Sequence, residues 1–194
     1  MDTIERRFFT NLEVRADEGG APKIVGYAAV FDKLSDDLGG FREKIAPGAF
    51  TRSLKEKADV RALVDHDSSR ILGRTKSGTL TLSEDKSGLL AEIVPPDTTA
   101  GRDAMESIKR GDIDGMSFAF TTRQDAWEYD DDGDLRTLED VDLRDVSVVT
   151  YPAYPDTSVA VRSRDIWKKE QEPTTDDAPI RETLKRKLRM RETT

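Results

Sequence analysis

Between Gly115 and Thr121 the chain alternates large and small side chains, with Met116, Phe118 and Phe120 on one parity and Ser117, Ala119 and Thr121 on the other. Only an extended strand sorts those two sets onto opposite faces. The large set has to fill a core on one side of a sheet. The small set leaves a face with room for an extended chain, and its one reactive group is the Ser117 hydroxyl.

The pattern around this strand, from Ile4 to about Arg162, is strand-rich. Strands are expected around Phe8–Val14, over Ile24–Phe31 and over Val60–Asp67. The pair Thr79–Ser83 and Gly88–Val94 reads as a hairpin joined by the polar stretch Glu84–Ser87. Met116–Arg123, Ala126–Tyr129, Leu135–Glu139 and Val141–Thr150 complete the strands, while the polar, glycine-bearing Asp32–Phe41 reads as a loop. Two helices are expected. Pro47 suits the first turn of one that runs through Phe50 and Leu54 to about Lys57, because proline lacks only an amide that would be unpaired there. Thr98 or Thr99 caps the second, with Ala104, Met105 and Ile108 as its apolar stripe and Gly111 as its end. Many short strands with two helices predict an α+β fold, built on a small, mostly antiparallel β-barrel or strongly curved sheet with helices around it.

The character changes at Ser163. Lys168–Asp177 is a polar linker, and Ile180–Arg191 is a short basic segment with few apolar residues. The expected organisation is one domain over residues 1–162 and a charged, flexible tail over 163–194. The tail's Arg181 and Lys185–Arg189 read as a solvated charged segment more readily than as a nucleic-acid site, because glutamates interrupt them. A net charge of -8 also argues against general nucleic-acid binding, which needs a basic footprint. With no cysteine, the chain has no disulfide, thiolate metal site or cysteine nucleophile. No apolar run approaches membrane-spanning length, and the N-terminal residues lack the apolar core of a signal peptide.

His66 is the only histidine, placed near the end of the strand expected over Val60–Asp67. On an extended strand its neighbours Asp65 and Asp67 point away from it, so neither suits the role of orienting its ring. Asp145 suits it better. Strict alternation puts Leu143, Asp145, Ser147 and Val149 on one face, opposite Val146, Val148 and Thr150. A carboxylate on so apolar a strand is costly to bury without a partner. A histidine N–H would be one partner, and Arg144 or Arg136 at the surface is the plainer alternative. Ser117, His66 and Asp145, each on its own strand, would supply the nucleophile, base and orienting acid that activated-serine chemistry requires.

Glu128–Asp134 imitates a calcium loop, but it has Glu where the first ligand should be Asp and no helical pattern flanks it. An Asp–Gly turn between strands explains it better. No cofactor or metal is expected.

At these residues the chain resembles the prohead maturation proteases of tailed bacteriophages, the caudoviral prohead serine protease family. The similarity runs from about Gly26 to Arg162 as an ordered series. It takes in Gly26–Tyr27–Ala28 with Val30–Phe31, then Ile45–Phe50, His66 and Ile71–Arg74. Gly88–Leu89, Gly115–Phe118, Asp145–Ser147 and Pro152–Pro155 follow. The resemblance implies a fold like that of the herpesvirus assembly protease and a serine endopeptidase acting inside the viral prohead, within the host cytoplasm. Its implied substrate is the scaffold, or the scaffold-like region of the major capsid protein precursor, and the enzyme itself. By motif position it implies Ser117 as nucleophile and His66 as general base, with Asp145 in the orienting role. Self-association as a dimer is implied by analogy; the sequence assigns no oxyanion donor, and a backbone amide near Ala153 is one candidate. The alternatives are a non-catalytic assembly module that keeps the fold, and a metal-dependent hydrolase using Asp130–Asp134.

Overall fold

The computed structural model describes residues 4–10, 12–15, 22–130 and 133–151, and the expected linker and tail lie outside them. In chain order the strands are β1 Glu5–Thr10, β2 Leu12–Arg15, β3 Lys23–Val30, β4 Phe41–Ile45, β5 Arg61–Val64 and β6 Asp67–Arg74. They continue with β7 Leu80–Glu84, β8 Gly88–Ile93, β9 Gly115–Asp130 and β10 Gly133–Val149. Helix α1 is Thr51–Lys55 and helix α2 is Thr99–Arg110. The fold is mostly β, with few helices.

One sheet has the order β1-β9-β10-β5-β6, with β4 also paired to β10, and the second has the order β2-β3-β8-β7. All pairings are antiparallel except β4 with β10 and β5 with β10, which are parallel. β10 is 17 residues long, so its first part can pair with β4 and its last part with β5. The expected barrel does not close among the described residues. β6 and β7 each end their own sheet, separated by a 3-10 turn at Thr75–Ser77 and a left-handed Gly78 (φ 73).

The two sheets enclose the main apolar core. Met116, Phe118 and Phe120 enter it from β9, meeting Ile24 from β3, Leu89 from β8 and Ile108 from α2, all buried. Phe118 stacks on Phe120 at 4.8 Å and meets Phe50 edge-on at 5.2 Å. α2 is held as expected: the Thr98 hydroxyl accepts the Gly101 amide at 3.3 Å, and Gly111 (φ 80) takes the left-handed closing position. α1 is shorter than expected, because residues 47–50 form a turn before it.

A second buried cluster is ionic. Arg7 donates to Glu43 at 2.6 and 2.8 Å and to Glu5 at 2.9 Å. Arg136 donates to Glu5 at 2.7 Å, Glu43 at 3.0 Å and Asp125 at 2.6 Å. Burial pushes the Glu5 carboxyl up, but the hydrogen bond and charge of Arg136, with Arg7, outweigh it and hold Glu5 below its ordinary value. This network ties β1, β4, β9 and β10 together. It also explains why β4 was not expected as a strand: Phe41, Glu43 and Ile45 all face inward, and the glutamate in the middle breaks the apolar alternation. β6 was missed for a different reason, since Asp67, Ser68 and Ser69 at its start are exposed and show no buried parity.

Candidate active site

His66 is not on a strand. Val64 pairs with Asp67, leaving Asp65 and His66 as a two-residue hairpin turn with φ of 52° and 57°. Positive φ at both positions is what tight hairpins need, because its twist matches that of the strands. Aspartate and histidine tolerate it better than most side chains. Asp65 fastens this turn to the end of β10. Its amide donates to the Val148 carbonyl at 2.9 Å, and its carboxylate accepts from the Thr150 amide at 2.8 Å and hydroxyl at 3.2 Å. Neither Asp65 nor Asp67 bonds the histidine ring; Asp67 instead accepts from the amide and hydroxyl of Ser69.

The face expected for Asp145 needs one correction. Leu143 does not share it: Leu143 is buried in the core with Val146 and Val148. A bulge lies between Leu143, opposite Phe120, and Asp145, opposite Ala119, so Arg144 is the extra residue and the parity of β10 reverses there. The Leu143 amide at the bulge donates to the buried Ser53 hydroxyl of α1 at 3.1 Å. Past the bulge, Asp145 and Ser147 turn to the face that carries Ser117. Ser147 lies directly across the ladder from Ser117.

His66 then bridges the two strands. Its Nδ1 lies 2.6 Å from Asp145 Oδ1 and its Nε2 lies 2.8 Å from Ser117 Oγ. An ionised carboxylate only accepts, so Nδ1–H donates to Asp145 and Nε2 is left to accept from the Ser117 hydroxyl. Ser147 completes the group, with its Oγ 3.0 Å from Asp145 Oδ1 and 3.2 Å from His66 Nδ1. Sequence reasoning placed Ser147 on the face of Asp145 but gave it no part in the site. Ser117 and Ser147 have 0% exposure, the His66 side chain 9% and that of Asp145 17%. The group is therefore screened from bulk water. The alternative partners of Asp145 are engaged elsewhere: Arg144 donates to Thr121 at 3.1 and 3.2 Å, and Arg136 belongs to the buried ionic cluster.

The candidate oxyanion donor near Ala153 lies outside the described residues, as do Asp131 and Asp132 of the acidic loop. Either side of that loop, Asp130 and Gly133 (φ 121) pair across the β9–β10 hairpin. Among the described residues no three His, Cys, Asp or Glu side chains are grouped to hold a metal ion. No helix of the described chain is long and apolar enough to cross a membrane.

A hydroxyl, an imidazole and a carboxylate in one hydrogen-bonded line is the arrangement that serine hydrolases use. The chain matches the caudovirus prohead serine protease family over residues 10–172, and it belongs to that family. It is a serine protease, of a family that acts in the phage prohead. Among solved structures it is similar to the bacteriophage T4 capsid assembly protease, gp21, with 12% sequence identity and a TM-score of 0.47. That similarity covers 75% of this chain and 98% of the other. No curated protein matches the chain.

Proposed function

We propose that this chain is the endopeptidase that digests the scaffold, or the scaffold-like region of the major capsid protein precursor, during prohead maturation, and that it also cleaves itself. It works inside the immature shell, within the host cytoplasm. In this reading Ser117 is the nucleophile, His66 the general base and Asp145 the acid that orients it. His66 Nε2 takes the Ser117 proton as Oγ attacks a peptide carbonyl. The imidazolium so formed keeps its Nδ1–H on Asp145, then gives the Nε2 proton to the leaving amine. Water releases the acyl group by the same route in reverse, restoring Ser117. The protease domain spans residues 1–162, with a herpesvirus-protease-like fold. The tail, 163–194, is a self-cleavage segment or a tether for packaging, and the enzyme associates as a dimer.

The observation that carries this reading is the single histidine bonded at once to Ser117 (2.8 Å) and Asp145 (2.6 Å). Co-expression with a capsid precursor tests it. The expected result is processing that Ser117→Ala abolishes and chelator leaves untouched. Processing by Ser117→Ala that chelator stops would instead favour a metal enzyme. No processing by the unaltered chain would favour a non-catalytic assembly module.

A further inference from the structure

The Ser147 hydroxyl is fully buried, and a buried hydroxyl without a partner is costly. Its two polar neighbours are Asp145 Oδ1 at 3.0 Å and His66 Nδ1 at 3.2 Å. We infer that Ser147 is a positioning residue for the reaction, acting through Asp145 and His66. Its catalytic consequence rests on the protease reading above.

The argument follows from donors and acceptors. Nδ1 must carry a proton if Nε2 is to accept from Ser117, so Nδ1 cannot accept the Ser147 proton. The carboxylate is left as the acceptor, and Ser147 O–H donates to Oδ1. That oxygen then holds two donors, His66 Nδ1 at 2.6 Å and Ser147 Oγ at 3.0 Å. Two bonds from two fixed directions stop the carboxylate from swinging about its own axis, so the histidine always meets the same charged oxygen. Ser147 sits on a ladder position opposite Ser117, so one rigid strand pair sets both the donor to the acid and the nucleophile.

The triangle has a second use. When Asp145 is removed, Ser147 Oγ is the remaining acceptor within reach of Nδ1–H, and it can hold the same tautomer without supplying charge. Effects at 145 and 147 are therefore not additive.

Steady-state cleavage and nitrogen NMR of the full chain test this together, because the sole histidine gives one unambiguous set of ring signals. Ser147→Ala is expected to lower kcat about ten- to a hundredfold, with KM changed less than about twofold, since a hydrogen bond to a buried charge is lost but no substrate contact is. The Nδ1 and Nε2 signals should move toward each other as the tautomers mix, and Ser147→Thr should restore both readouts. Wild-type kcat with an unchanged ring spectrum in Ser147→Ala overturns the inference. If a melting curve shows that the threonine variant is not folded, the double variant decides. Asp145→Ala with Ser147→Ala falling further below Asp145→Ala than Ser147→Ala falls below wild type supports it, and an equal or smaller fall overturns it. Cleavage that persists in Ser117→Ala would instead sink the protease reading, while the ring spectrum would still report whether Ser147 orders His66.

Discussion

Asp145→Asn removes one negative charge at nearly constant volume. His66 Nδ1 lies 2.6 Å from Oδ1 of the carboxylate whose charge is removed, and the two side chains are only 9% and 17% exposed. In the proposed mechanism His66 takes the Ser117 proton, which leaves the imidazolium and carboxylate centres roughly 4 Å apart, worth about 4 kcal/mol at an effective dielectric near 20. Losing that attraction slows the reaction about a thousandfold, at 1.36 kcal/mol per factor of ten. The amide adds a second penalty whenever its nitrogen faces Nδ1. The ring must then carry its proton on Nε2, where it cannot accept from Ser117, and such a tautomer error can cost about 10⁴-fold. Because Ser147 also donates to Oδ1, the amide oxygen is the better fit there. The expected fall in kcat/KM is therefore about 10³- to 10⁴-fold, read from cleavage of a capsid-precursor substrate, with the urea midpoint nearly unchanged. A fall of less than tenfold in a folded variant would refute the reasoning, leaving Asp145 as an ordinary strand carboxylate.

The remaining predictions concern the scaffold of the site. Arg136→Met leaves Glu5, Glu43 and Asp125 without their shared cation, and should cost about 3–5 kcal/mol in urea unfolding, since removing one partner strands buried charge. The Glu5 carboxyl is held below its unfolded value of 4.5, so the unfolded chain takes up this proton first as pH falls. Its stabilising contribution is complete above pH 4.5 and is lost as pH drops through the lower folded value, and Glu5→Gln should flatten that part of the stability curve. At Gly115 an added Cβ would meet the Phe8 ring at 2.2 Å. Gly115→Ala should therefore destabilise by about 1–3 kcal/mol, and Phe8→Ala in the same chain should recover most of it, as read from the melting midpoint.

Some of this was legible in the chain because it needs only local rules. The parity of residues 116–121 put three large side chains in the core and Ser117 on the other face, where they are. Thr98 or Thr99 and Gly111 marked the ends of α2 because capping is decided within a turn, and Thr98 is the cap. Other parts depend on tertiary partners. Glu43 looks like a surface residue until Arg7 and Arg136 arrive from other strands, so β4 was hidden. The bulge at Leu143–Asp145 is held by Ser53, some 90 residues earlier, and no pattern within β10 announces it. Strict alternation therefore put Asp145 on the right strand but gave it the wrong neighbour in Leu143. The turn at Asp65–His66 lacks the glycine or asparagine that usually marks left-handed backbone, so His66 read as a strand residue. The short segments expected over residues 116–129 and 135–150 are two continuous strands of 16 and 17 residues, because irregularities within a ladder resemble breaks when only one strand is seen.

Mass spectrometry of the full chain after reaction with a fluorophosphonate, which bonds covalently to activated serine oxygens, tests the central claim most directly. The account predicts one adduct, on Ser117, that disappears in Ser117→Ala and is strongly slowed in His66→Gln. An adduct that forms equally fast without His66, or that settles on another serine while Ser117 stays unmodified, would contradict it.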